Sequence, residues 1–224
     1  MNNIELLNTD KPIIVAEIGQ AHDGSLGLAH AYIDAVAKVG VDVVKFQTHI
    51  ASEESTLNEP FRIKFSKQDN NRFDYWKRME FTEEQWKGLA EHAKEKNIIF
   101  LSSAFSSKAI EILKKIDIPA WKIGSGEFWS NQLFDLMIET GKPLWISTGM
   151  SSWKEIDDVV AKMQKLKYPF SLLQCTSRYP TDLSEVGINV ISEMKKKYGC
   201  TVGLSDHSGS IFPSLQAMAC GAKL

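Results

Sequence analysis

Two lysines occupy matching contexts: Lys45 in VVKFQT and Lys122 in AWKIGSGE each close a short apolar run and are followed by polar side chains. Ammonium groups at strand ends can neutralise a phosphate or a carboxylate, and nearby serine hydroxyls and the amides of glycine turns add hydrogen bonds. A single lysine in such a place can equally be a solvated surface charge, but the repeated context favours a ligand. Two carboxylates stand in comparable positions, Glu17 at the end of IIVAEIG and Glu127 at the end of GSGE. An ionised carboxylate loses much hydration on burial, so each either pairs with a lysine or serves as a proton-transfer group. The Gly-Ser-Gly turn itself is a weak phosphate signal.

Among five histidines, His207 in GLSDHSG is the best metal candidate. A neutral imidazole at a strand end can bind a divalent transition metal, with Asp206 either a further ligand or the acceptor that fixes the tautomer. A His-Asp neighbour pair is also commonly no more than a local hydrogen bond. His22 in QAHDG is a second candidate, His30 and His92 fall within helices, and His49 opens a long connection. No Cys-x-x-Cys, Walker loop or GxGxxG fingerprint is present, and no triad context supports a nucleophile elbow.

The elements that must position these groups follow from the apolar pattern, which alternates between short β-type runs and stretches of helical spacing. Strands are predicted over 13–18, 43–46, 98–101, 121–123, 144–147, 171–173 and 202–204. Helices are predicted over about 28–39, 108–116, 132–140, 188–198 and 213–220. Thr82 with Gln85, and Ser152 with Glu155, fit capping boxes that open two more. Gly40, Gly141 and Gly199 sit where helices should end.

Seven strand-helix units fit either an open doubly wound sheet or an eight-stranded barrel. Nearly every strand ends in polar side chains: Glu17; Lys45 and Gln47; Ser102 and Ser103; Lys122, Ser125 and Glu127; Ser147 and Thr148; Thr176 and Ser177; Ser205, Asp206 and His207. An open sheet would string these along a line, whereas a barrel gathers them at one mouth. The expected fold is therefore an α/β (β/α)8 TIM barrel, truncated at the start of its eighth strand, since one helix and the fragment 222–224 follow Leu204. The stretch 48–80, which includes FRIKFSKQDNNRFDYWKRMEF, lacks strand alternation and is too long for a simple connection. It would overhang the active face.

With 224 residues, 43% hydrophobic and 24% charged, the chain has the balance of an ordinary globular domain. A formal net charge of -2 argues against nucleic acid and anionic membrane as partners. The opening MNNIELLNTDKP has no apolar core of signal-peptide length, and no stretch approaches the ~20 apolar residues of a membrane span. Three widely spaced cysteines, Cys175, Cys200 and Cys220, read as reduced thiols, which makes a cytoplasmic location the expectation.

The ordered motifs IIVAEIGQAHDGSL, DVVKFQTH, FLSSAFS, WKIGSGE, PLWISTGM, LLQCTSRYPT and VGLSDHSG resemble the sialic acid synthase family, which includes N-acetylneuraminate, legionaminic acid and pseudaminic acid synthases. The resemblance spans almost the whole chain. It implies a phosphoenolpyruvate-condensing barrel over 1–224, incomplete, with the small C-terminal antifreeze-like domain absent. It implies a homodimer for the full-length protein. Substrate-binding positions would match Lys45, Gln47, Ser103, Lys122, Ser125, Ser147, Ser177, Tyr179 and Ser205. Glu17 and Glu127 would be the catalytic carboxylates.

His207 would be one metal ligand for Mn²⁺ or Mg²⁺, its usual partner from a Glu-Lys-His motif falling just beyond Leu224, so the fragment by itself is expected to be inactive. Ala21 stands where many members have Asn, and Ser103 with Ala104 replaces a frequent Thr-Pro. Two other readings stay open: a class I aldolase using Lys122 or Lys45 as a Schiff base, and a truncated barrel that binds a sugar or a partner without turnover.

Overall fold

The computed structural model describes residues 11–224, which fall into two compact units, 15–118 and 119–224 together with the residues up to Ile14. Within 15–118 the strands β1 (Val15–Gly19), β2 (Val43–Thr48) and β3 (Ile99–Ala104) run parallel in that order. The helices of this unit are α1 (Leu26–Val39), α2 (Ala51–Glu54), α3 (Arg72–Met79), α4 (Glu83–Glu95) and α5 (Ser107–Ile116). Both faces of β2 are covered: Val43, Val44 and Phe46 are fully buried, which is why its apolar run is continuous and not alternating. Ile33 of α1, Trp86 and Leu89 of α4 and Ile110 of α5 complete this core.

Within 119–224 the order is β4 (Trp121–Ile123), β5 (Leu144–Ser147), β6 (Phe170–Cys175) and β7 (Thr201–Ser205), again all parallel. They alternate with α6 (Asn131–Ile138), α7 (Trp153–Lys165), α8 (Ile188–Tyr198) and α9 (Phe212–Ala219). Trp121, Trp145, Ile146, Leu172 and Ile191 form the core. Lys223 donates its amide to the Val202 carbonyl at 2.8 Å, Leu204 donates to the Leu224 carbonyl at 2.8 Å, and Ile13 donates to the Lys223 carbonyl at 2.9 Å. Residues 222–224 thus take backbone bonds on two sides.

Both predicted capping boxes form, with Thr82 and Gln85 at the start of α4 and Ser152 and Glu155 at the start of α7. Gly40 and Gly199 take left-handed conformations as C-caps, φ 77° and 62°, which costs a glycine nothing. No helix among the described residues is long and apolar enough to cross a membrane.

The 48–80 stretch is more ordered than its sequence pattern indicates. It contains α2 and α3, and Arg78 holds it by a fork onto Asp69, with Nε to Oδ1 at 2.9 Å and Nη2 to Oδ2 at 2.7 Å. Nη1 of the same guanidinium reaches Asp23 Oδ1 at 2.7 Å, tying the stretch to the β1–α1 turn. The Arg78 hydrogen bonds hold the Asp69 carboxyl below the usual carboxylate range. Gly24, at φ +79°, passes against the Arg78 carbonyl where a Cβ would collide.

Candidate functional site

Within 15–118 the strand register brings four of the sequence-predicted residues together. Glu17 is aligned with Lys45 across β1 and β2, and Gln47 with Ser103 across β2 and β3. Lys45 is 3% exposed. Its Nζ lies 2.6 Å from Glu17 Oε2 and donates to Ser103 Oγ at 3.1 Å. The Glu17 side chain is 46% exposed, so the pair joins a buried cation to a carboxylate that solvent or a ligand can reach. A Cβ built on Gly19 would lie 3.5 Å from Glu17 Oε1 and 3.7 Å from Gln47 Nε2, so the two side chains face the same small space. Thr48 and Ser102 are bonded to each other through their hydroxyls at 2.9 Å.

Within 119–224 a second group forms. Lys122 on β4 is 7% exposed and donates to Ser147 Oγ at 2.6 Å and to the Ile123 carbonyl at 3.0 Å. Ser125, in a short 3-10 turn, accepts from the Gly149 amide at 3.1 Å and donates to Cys175 Sγ at 3.5 Å. Ser205 at the end of β7 is the register partner of Cys175. Glu127 closes the same turn as Ser125 and sits so near Gly124 that a Cβ there would collide with its carboxylate.

His207 is fixed at both nitrogens. Nδ1 is 3.0 Å from the Thr176 carbonyl, so it carries the proton, and Nε2 accepts from Tyr179 Oη at 3.1 Å. The two rings lie 4.1 Å apart. Asp206 does not set this tautomer: its carboxylate accepts from the Ser208 amide and hydroxyl at 3.1 and 2.7 Å, and the backbone of Thr176 takes its place. His22, the other histidine singled out from the sequence, is fully buried. It accepts from the Gly24 amide at 3.1 Å and packs 4.7 Å from the Phe81 ring. Burial lowers its pKa to about 4, and its position is a packing one.

The sequence reading took Cys175 only as a reduced thiol and not as a site residue, although its place as the last residue of a strand ahead of Thr176 and Ser177 was a signal. Its Sγ lies 4.0 Å from His207 Nδ1. Burial pushes the thiol up, but hydrogen bonds from His207 and Ser125 and the charges of His207 and Lys122 outweigh it, leaving the pKa at about 7. Burial likewise works against the His207 cation, and the Cys175 and Thr176 acceptors reverse it, so that pKa is raised. The two groups stabilise each other's charged forms.

Gly149 is the packing hinge of this group. A Cβ there would lie 2.7 Å from Ser177 Oγ, 2.8 Å from the Cys175 carbonyl and 2.9 Å from Cys175 Sγ. Because a backbone carbonyl cannot swing aside, Gly149→Ala is expected to cost about 2 kcal/mol of stability, read from urea unfolding. A loss under about 0.5 kcal/mol would show that the group is loosely packed.

No set of three or more His, Cys, Asp or Glu side chains among the described residues is arranged to hold a metal ion. His207 has the tautomer of a metal ligand, Nδ1 donating to a carbonyl and Nε2 carrying the lone pair. The Tyr179 hydroxyl engages that nitrogen at 3.1 Å and would have to give it up, so His207 offers at most one nitrogen and not a closed centre.

Parallel strands with crossover helices, carrying buried lysines and hydroxyls at their carboxyl ends, define the class of protein. The chain belongs to the NeuB family, whose profile matches residues 32–224. It is 32% identical over 218 residues to N,N'-diacetyllegionaminic acid synthase of Campylobacter jejuni, covering 95% of this chain and 65% of that one. It is 33% identical over 215 residues to human N-acetylneuraminate-9-phosphate synthase, covering 94% and 60%. The chain therefore spans less than two thirds of these relatives. The structure is similar to that of an N-acetylneuraminic acid (sialic acid) synthetase from Leptospira borgpetersenii, with a TM-score of 0.84 and 30% identity over 97% of this chain and 73% of that one.

Proposed function

We propose that the protein condenses phosphoenolpyruvate with an N-acyl amino-sugar aldehyde, yielding a nonulosonic acid and phosphate. The observation that carries this reading is the pair of buried strand-end lysines, each backed by a serine hydroxyl, on a chain whose family relatives are synthases of such acids. The enol phosphate carries two anionic groups, and burial makes an ammonium group a stronger partner for an anion than it is in water. The frame we assign is a (β/α)8 barrel, and the backbone bonds of 222–224 to β7 and Ile13 support an eighth strand at that place.

In this reading C3 of the enol attacks the aldehyde carbon and a C–C bond forms while the carbonyl oxygen takes a proton. Water adds at C2, and the C2–O bond to phosphate then breaks. Lys45 with Gln47 and Ser103, and Lys122 with Ser147, Ser125, Ser177 and Ser205, hold anionic and hydroxyl groups. Glu17 takes a proton from the water that adds at C2, Glu127 meets the sugar, and Tyr179 contacts substrate from its exposed position. A divalent ion, Mn²⁺ or Mg²⁺, supplies Lewis-acid polarisation of the aldehyde when bound, with His207 Nε2 as one ligand.

The test is phosphate release by the intact protein from phosphoenolpyruvate, with N-acetylmannosamine and related N-acyl sugars and with Mn²⁺ or Mg²⁺ supplied. Release that depends on a sugar and matches the phosphoenolpyruvate consumed is the expected result. No sugar-dependent release with any of them would sink the reading.

A further inference from the structure

His30 on α1 and His92 on α4 take no part in the reaction as proposed, yet they meet nitrogen to nitrogen. Their Nδ1 atoms lie 2.9 Å apart while the ring centroids stand 4.9 Å apart, so each nitrogen points at the other. Their chain neighbours Ala29 and Ala93 are fully buried, which places the pair at the rim of the face that each helix buries. The contact continues beyond the two rings. His92 Nε2 is 3.2 Å from Asp34 Oδ1, and Lys96 Nζ is 2.7 Å from the same oxygen. Asp34 follows His30 by one turn of α1, and Lys96 follows His92 by one turn of α4, so the charged groups facing the pair come one from each helix.

A hydrogen bond between two ring nitrogens holds one proton, because one nitrogen must donate and the other accept. Either ring supplies it without moving. A neutral pair meets this requirement, and so does a pair carrying one extra proton on a nitrogen turned away from the contact. A second extra proton has no place. Both rings are then imidazolium, both Nδ1 atoms carry hydrogen, and two like charges face each other with no acceptor between them. In keeping with this, burial and the neighbouring His92 lower the His30 pKa from its ordinary 6.5, against the pull of Asp34. Asp34 is not the group that responds: the hydrogen bond from Lys96 holds its carboxyl below the usual carboxylate range, so it stays charged wherever histidines titrate.

We propose that His30 and His92 form an acid-sensitive latch between α1 and α4, closed while a single proton lies between the two Nδ1 atoms and opened when both rings become cations. A histidine whose pKa is lowered in the closed state takes up more protons once the contact opens. The stability that the latch gives is therefore complete above the ordinary value of 6.5 and is lost as pH falls below it toward the lowered one. The latch is independent of the reaction proposed above, and no substrate is needed to observe it.

The experiment is amide hydrogen exchange of the intact protein at about pH 5 and about pH 7.5, on either side of the histidine range, each rate divided by the intrinsic rate at that pH. It compares the unaltered chain with His30→Asn. Asparagine sets its amide where Nδ1 stood and offers either N–H or carbonyl by turning over, so it bonds the remaining ring in both of that ring's protonation states. In the unaltered protein the α1 and α4 amides should open about fivefold more often at the lower pH, whereas in His30→Asn the ratio should stay under about twofold. His22 in the same unit also resists protonation, its pKa being lowered to about 4, but it is present in both chains and cancels from the comparison. An equal ratio in the two chains, or no acid response of α1 and α4 in the unaltered one, overturns the latch. Should His30→Asn fail to fold, His92→Asn decides by the same ratio.

Discussion

Lys122→Met in the intact protein is expected to lower kcat/KM for phosphoenolpyruvate about 10³-fold while leaving the melting temperature unchanged or higher. The methionine keeps the apolar stem and removes a cation that is 7% exposed. Replacing a buried cation with an apolar side chain of similar volume is often neutral or stabilising for folding. An anionic substrate feels the opposite. Losing one buried charge pair typically costs 2–5 kcal/mol of binding, and ~4 kcal/mol corresponds to about 10³. A lower melting temperature with near-normal use of phosphoenolpyruvate would make Lys122 a structural residue and remove the main support for an anion site on β4.

Glu17→Gln carries the second large effect: kcat should fall about 10²- to 10³-fold, the range of a lost proton-transfer group. The substitution keeps the shape and removes the charge that faces Lys45 Nζ at 2.6 Å. The stability cost should be modest, about 1 kcal/mol, because the Glu17 side chain is 46% exposed and screening discounts the pair. Lys45 also keeps its hydrogen bond to Ser103. The two readouts separate the roles. If turnover stays within about threefold of the unaltered protein while stability drops, Glu17 is the counter-ion of Lys45 and another group moves the proton.

Glu17 shows how far the sequence alone could be taken. Its position after an apolar run marked it as special, and the two roles open to it were an ion pair and proton transfer. The ion pair is there, but the partner could not be chosen from the sequence. Lys45 was selected by the register of β1 against β2, and register is set by how strands align their apolar faces across a sheet. The pairing of Gln47 with Ser103 has the same origin.

The local elements were legible because their signals are local. Periodicity of two or 3.6 residues, capping boxes at Thr82 and Ser152 and left-handed glycines at 40 and 199 each depend on a few neighbouring residues, and all of them appear in the structure. α2 and α3 were hidden inside the 48–80 stretch because they are short and polar. Their order comes from contacts such as the Arg78 fork onto Asp69, which propensity does not register.

What the sequence determined by itself is the repeating strand-helix pattern and the placing of reactive side chains at strand carboxyl ends, since both follow from the alternation of apolar and polar residues along the chain. Only the tertiary structure decided which of those side chains meet and how they are oriented. His22 became a packing residue and His49 a clamped one, because burial and ring stacking are set by Phe81, Trp76 and Phe105, which lie far from them in the chain. The Thr176 carbonyl, and not the adjacent Asp206, set the tautomer of His207. Cys175 gained a lowered pKa from His207, Ser125 and Lys122, which two other strand ends, those of β4 and β7, bring within reach of it. Hydrogen bonds and charge coupling act over a few ångströms in space regardless of separation in sequence, and those distances exist only once the chain has folded.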